Sequence, residues 1–228
     1  MLQIMKLARL LCIPIVLLCS FAAGAQGAYL DKGVNGMGGE ARVVLGMDGV
    51  EGFGIVSGYS IAGILDVGGN FGLTYGTLGG YDSTDVRMAL DYRINVLKQT
   101  AGLPLSLQIM GSYGLNNVLS DYLDNDSATR RGTGYTLGLN LASNIRLTPS
   151  WLIRVSLFGD YASTTYTTKG NILNITGERV GNLYFGGGLG FLFAFPQGAI
   201  LAVQAELRAD RDLEFQINPI LSVAFPQR

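Results

Sequence analysis

The chain has 228 residues, 48% of them hydrophobic and 14% charged, with a formal net charge of −1. That apolar content excludes a disordered chain, and the absence of any basic run leaves nothing for nucleic acid to bind. The 33 glycines keep no fixed period and the prolines number only 6, which excludes collagen and linker sequences; glycine set inside apolar alternation points instead to crowded strands.

Two cations, Lys6 and Arg9, precede an apolar run from Leu10 to Leu18, and small residues follow as far as Ala23, Gly24 and Ala25. This is the layout of a secretory signal peptide over residues 1–25, cleaved before Gln26. The run is shorter than the ~20 residues a membrane helix needs. Cleavage removes Cys12 and Cys19, so the mature chain, 26–228, has no thiol chemistry, and its formal charge becomes −3.

After a glycine-rich lead-in, Gln26 to Gly39, Glu40 to Met47 alternates Ala41, Val43 and Leu45 against Glu40, Arg42 and Val44. Asp48-Gly49 is a turn signal, and Val50 to Tyr59 can return as a second strand. From Gly63 the alternation strengthens, with Leu65, Val67, Phe71 and Leu73 facing away from Asp66, Asn70 and Thr74. Asp85 to Leu97 sets Val86, Met88, Leu90, Tyr92 and Ile94 against Arg87, Asp91, Arg93 and Asn95. Leu103 to Leu115, Tyr135 to Leu147 and Trp151 to Tyr161 repeat the pattern. The last hairpin, 182–226, ends in a run whose odd positions from Leu213 to Phe225 are apolar. Period two over a dozen residues is a strand signal, and the length suits a strand tilted across a bilayer.

Short turns are expected near 60–63, 99–102, 148–150 and 196–198, and long polar loops at 116–132 and 163–181. Outer-membrane barrels join tight periplasmic turns to longer outer loops, so both long loops are assigned to the outside and the two chain ends to the periplasm. Tyr59, Trp151, Phe195 and Phe225 then mark a periplasmic aromatic girdle, and Tyr75, Tyr113, Tyr135 and Tyr161 an outer one.

A soluble barrel would have to fill its interior with the Leu, Ile, Val, Phe and Tyr of every strand. Turned inside out, the same strands present those residues to lipid and enclose Gly, Ser, Asn and charged pairs, while closure satisfies every backbone amide. The expected fold is therefore all-β, a closed antiparallel transmembrane β-barrel of ten strands if Glu40 to Tyr59 forms a hairpin, or of eight if it does not. A signal peptide, strands of about a dozen residues and a final amphipathic strand ending at Phe225 together resemble the small outer-membrane β-barrels of Gram-negative bacteria, the group that includes the OmpA transmembrane domain and OmpW. The resemblance implies outer-membrane lipid and the barrel-assembly machinery as partners. Members of that group usually end on the aromatic itself, whereas here Pro226, Gln227 and Arg228 follow Phe225.

The sequence contains no histidine, which removes Ser-His-Asp and Cys-His nucleophilic systems and, with no mature cysteine, the usual zinc ligands. Asp121, Asp124 and Asp126 lack the glycine and distal glutamate of an EF-hand loop, so no metal or cofactor is expected. Gly186-Gly187-Gly188 lies inside a strand pattern with no helix after it, which favours packing over a phosphate cradle. Asp66, Asp91, Asp160 and Glu206 share the lumen face with Arg87, Arg93, Arg154 and Arg208; they either fill the lumen as salt bridges or line a constriction that selects anions. The leading expectation is a non-enzymatic structural or surface-interacting barrel that meets an extracellular ligand through 116–132 and 163–181. The alternative is a narrow porin-like channel for small solutes or ions.

Overall fold

A computed structural model describes residues 35–46, 49–78, 80–100, 102–120, 123–124, 128–171 and 174–226. The leader and most of the glycine-rich lead-in lie outside these residues, as do Asp121 and Asp126. Ten strands run in chain order: β1 (Gly36–Gly46), β2 (Gly49–Ile61), β3 (Leu65–Leu78), β4 (Tyr81–Leu97), β5 (Ser106–Ser120), β6 (Thr129–Arg146), β7 (Trp151–Lys169), β8 (Asn174–Ala194), β9 (Ile200–Asp210) and β10 (Phe215–Pro226). Each pairs antiparallel with its sequence neighbours, and β1 pairs with β10 from Gly36 opposite Pro226 to Leu45 opposite Ile217, closing the barrel. Ten strands, not eight, make the wall, because Glu40 to Tyr59 does form a hairpin. Gly36 to Gly39, read as part of the lead-in, already belong to β1.

Exposure decides which way the barrel faces. Outward Leu90, Leu115 and Leu157 are 67%, 62% and 64% exposed, whereas inward Asp66, Gln108 and Asn218 are 0%, 0% and 1% exposed. A polar interior inside an apolar jacket is stable only where the surroundings are hydrocarbon.

The two expected long loops are largely strand. β5 continues to Ser120 and β6 starts at Thr129, while β7 runs to Lys169 and β8 starts at Asn174. At 18, 19 and 21 residues, β6, β7 and β8 exceed the 11 or 12 of β1, β9 and β10, so the wall is tall on one side. Polarity suggested loops here, but Ser163 to Lys169 is rich in β-branched threonine and pairs throughout with β6 and β8. A bulge at Gly177, with φ +79°, adjusts β8 against Tyr166 and Thr167. At the other chain end, Leu213 leaves the strand pattern: it has φ 63° in the β9–β10 turn, and β10 begins at Phe215.

Candidate functional site: the lumen and its tall wall

Both chain ends of the barrel lie at one rim, called here the near rim, together with the β2–β3, β4–β5, β6–β7 and β8–β9 connections. Trp151 meets Phe193 edge-on with ring centroids 4.9 Å apart, and Phe193 meets Phe195 at 4.8 Å. Tyr59 and Phe225 stand at the same rim, near the ends of β2 and β10. Phe193 was not singled out from sequence, although it lies directly across from Trp151. Towards the far rim, Tyr113 pairs across from Tyr135, and the Tyr135 and Tyr161 rings lie 6.2 Å apart. Tyr75 sits close to the end of β3, but Tyr113, Tyr135 and Tyr161 are mid-strand, because β5, β6 and β7 climb beyond the girdle.

The lumen-facing charges expected from alternation all face inwards, yet they do not gather into one ring. Arg208 on β9 donates to Asp160 on β7. Asp91 accepts from Asn70 Nδ2 at 3.1 Å, with Arg93 two residues after it and Arg87 four residues before it on the same face of β4. Arg87 donates to Ser112 Oγ at 2.5 Å, and Ser112 is hydrogen-bonded to Thr136 Oγ1 at 2.8 Å. Glu206 faces Arg42, whose guanidinium is 3.9 Å from it and 3.1 Å from Glu40. Arg154, only 6% exposed, stands lower, towards the near rim. Sequence reading passed over Arg42 and Glu40 as site residues; their alternation against Ala41 and Val43 carried the signal, in the hairpin with the weakest pattern.

A cavity of about 240 Å³ lies among these side chains, lined by Arg42, Arg87, Arg93, Arg154 and Arg208 and by Glu40, Asp91, Asp160 and Glu206. Below it the lumen is apolar on one side: Leu192, Ile200, Ala202 and Ala224 are 3%, 2%, 1% and 0% exposed, with Leu152 and Ala194 packed against them. Beneath β6, Gln99 of the β4–β5 connection donates to the Asn144 carbonyl at 2.8 Å and accepts from the Asn144 amide at 2.7 Å.

Above the girdle the inner face of the tall wall carries a second polar network. Tyr166 on β7 donates to Asp85 on β4 at 2.5 Å, Asn116 donates to the same carboxylate oxygen at 3.0 Å, and Arg130 lies 4.6 Å from the Tyr166 ring centroid while pairing with Glu178 at 3.0 Å.

Solved structures of similar shape include outer-membrane barrels. The β domain of the Bordetella autotransporter BrkA superposes with a TM-score of 0.52 at 12% identity, over 85% of this chain and 100% of that one. The chain folds as an outer-membrane β-barrel. The translocator domain of the autotransporter NalP from Neisseria meningitidis matches at 0.49 and 13% identity, over 85% and 88% of the two chains. The toluene transporter TodX of P. putida matches at 0.34 and 9%, over 92% and 94%. No family model and no curated protein matches the sequence. Within this outer-membrane barrel, the glycines of β8 are strand glycines: Gly186 and Gly188 stand opposite Arg208 and Glu206, leaving room for those long side chains over the lumen wall.

Proposed function

We propose that the chain is a non-enzymatic, non-conducting outer-membrane barrel, exported by its signal peptide, with the near rim in the periplasm and the tall β5–β8 wall outside the cell. Its role is structural or surface-contacting, and its partners meet the far rim. The observation that carries this reading is the packed floor of Leu152, Leu192, Ile200, Ala202 and Ala224, which leaves less than one-tenth exposure at its central residues. Dry, close-packed apolar side chains offer ions no hydration path. The sequence pattern that resembles the OmpA transmembrane domain and OmpW, a signal peptide followed by alternating strands and a final amphipathic strand, supports the same placement. Loops 116–132 and 163–181 are replaced in this reading by the strand ends and short connections of the tall wall.

Single-channel recording of the refolded barrel in a planar bilayer tests it. The expected result is a folded, silent barrel for the native chain and discrete conductance steps for Leu192→Ser/Ile200→Ser, which wets the floor. Steps in the native chain overturn the closed reading. They would favour the second reading, a narrow channel, which the arginine-lined cavity supports; Arg87→Glu and Arg93→Glu should then shift ion selectivity away from anions.

A further inference from the structure

The tall wall has an outer face as well as an inner one, and its chemistry is one-sided. Arg131 on β6, Lys169 on β7 and Arg179 on β8 are all exposed there, above the Tyr135–Tyr161 girdle. Strand register places them close together: Arg131 is opposite Thr167, two residues from Lys169, and Arg179 is opposite Thr165. Between them on the same face lie hydroxyls, Thr133, Thr165 and Thr167, and no carboxylate of β6, β7 or β8. The wall's acid, Glu178, points to the inner network and pairs with Arg130.

Arg179 fixes the height of this patch. Its Nε donates to Ser163 Oγ at 3.0 Å and one terminal nitrogen donates to the Tyr135 hydroxyl at 3.1 Å. The guanidinium is therefore anchored on the girdle tyrosine, at the boundary where hydrocarbon gives way to headgroups. A guanidinium has five N–H donors in a planar fork, so two such anchors leave donors for two oxygens of a further anion. From Tyr161 to Lys169 the strand climbs eight residues, roughly 25 Å along its own axis and less along the membrane normal because strands are tilted. The three cations thus span the headgroup layer rather than the solvent beyond it.

We infer that the outer face of β6–β8 binds the phosphorylated headgroup of an outer-leaflet glycolipid, with Arg179 at the lipid boundary and Arg131 and Lys169 above it. This inference rests on the membrane placement proposed above. Cations near a charged bilayer surface each add to binding, and guanidinium groups add bidentate geometry to phosphate. Three cations with interleaved hydroxyls match a saccharide bearing more than one phosphate better than a zwitterionic headgroup, whose own cation would be repelled.

The test uses the full barrel, refolded in nonionic micelles and shown to be folded by a heat-dependent gel shift, with bound lipid read by native mass spectrometry. The probes are a bis-phosphorylated acylated disaccharide, the same lipid without phosphates, and inorganic phosphate. The expected result is a preference of about tenfold or more for the bis-phosphorylated lipid over its phosphate-free form. Arg131→Gln/Lys169→Gln/Arg179→Gln should abolish that preference, and Arg131→Gln/Lys169→Gln, which spares the Arg179 anchor on the girdle, should reduce it. Lys98→Gln/Arg146→Gln at the near rim should leave it unchanged. Equal binding of the phosphate-free lipid, an unchanged preference in the triple variant, equal loss in the near-rim variant, or displacement by inorganic phosphate at matched concentration would each overturn the inference. A native chain with no gel shift and no insertion into vesicles defeats the membrane placement and, with it, this site; a folded, inserted barrel without phosphate preference defeats the site alone.

Discussion

The Arg208 guanidinium on β9 reaches past β8 to donate to the Asp160 carboxylate on β7, and it lies 4.1 Å from the centroid of the intervening Tyr184 ring. The pair has side-chain exposures of 21% and 10%, so each charge relies on the other in place of water. Arg208→Met should therefore cost about 3 kcal/mol by leaving Asp160 buried without its partner. Asp160→Leu/Arg208→Met should cost less than the sum of the two single changes. Denaturant unfolding from lipid vesicles, run as a double-mutant cycle, measures both quantities; additive losses would mean the two groups do not interact.

Gly186 faces Arg208 across the β8–β9 pair, and a Cβ there would collide with the Leu207 carbonyl oxygen and come within 2.8 Å of the Phe158 ring. Backbone cannot yield as a flexible side chain can, so Gly186→Val should prevent the folded, heat-shifting form from appearing. At Gly76 a Cβ would meet only Ser83 Oγ, at 3.8 Å, and Gly76→Ala should fold as the native chain does. Electrophoretic mobility before and after boiling separates the two outcomes.

Closure through β1 and β10 puts Ala41 directly opposite Leu221. Directly opposed residues of antiparallel strands have Cα atoms about 4.5–5.5 Å apart, within the range a disulfide spans. Ala41→Cys/Leu221→Cys, in the chain without Cys12 and Cys19, should cross-link on oxidation of the folded barrel. Shifting one partner to Ala224→Cys should not. An eight-stranded barrel lacking the first hairpin would give no cross-link in either variant.

Tyr166→Phe removes the phenol that Asp85 accepts from and should loosen the inner face of the tall wall by about 1–2 kcal/mol. Hydrogen exchange should quicken at Ser163–Lys169 and in the first turns of β8 pairing, while β9 and β10 stay protected.

Alternation alone gave the face of nearly every side chain, and with it the inside-out arrangement. Leu90 and Arg93, three residues apart in sequence, were assignable to lipid and lumen because a strand's period is exact and one slip would reverse both. Glycine and proline punctuation gave the near-rim turns for the same local reason. Strand ends were harder to read wherever apolar alternation stopped: Thr164 to Lys169 looked like loop because its residues are polar, and only pairing with β6 and β8 keeps them in the wall. Partners across the lumen were beyond the sequence altogether. Arg42 with Glu206, Arg208 with Asp160, and the floor of Leu152, Leu192, Ile200 and Ala224 each join residues from different strands. Period two fixes which side a residue faces, whereas strand number, register and closure fix what it meets there, and those are properties of the whole barrel.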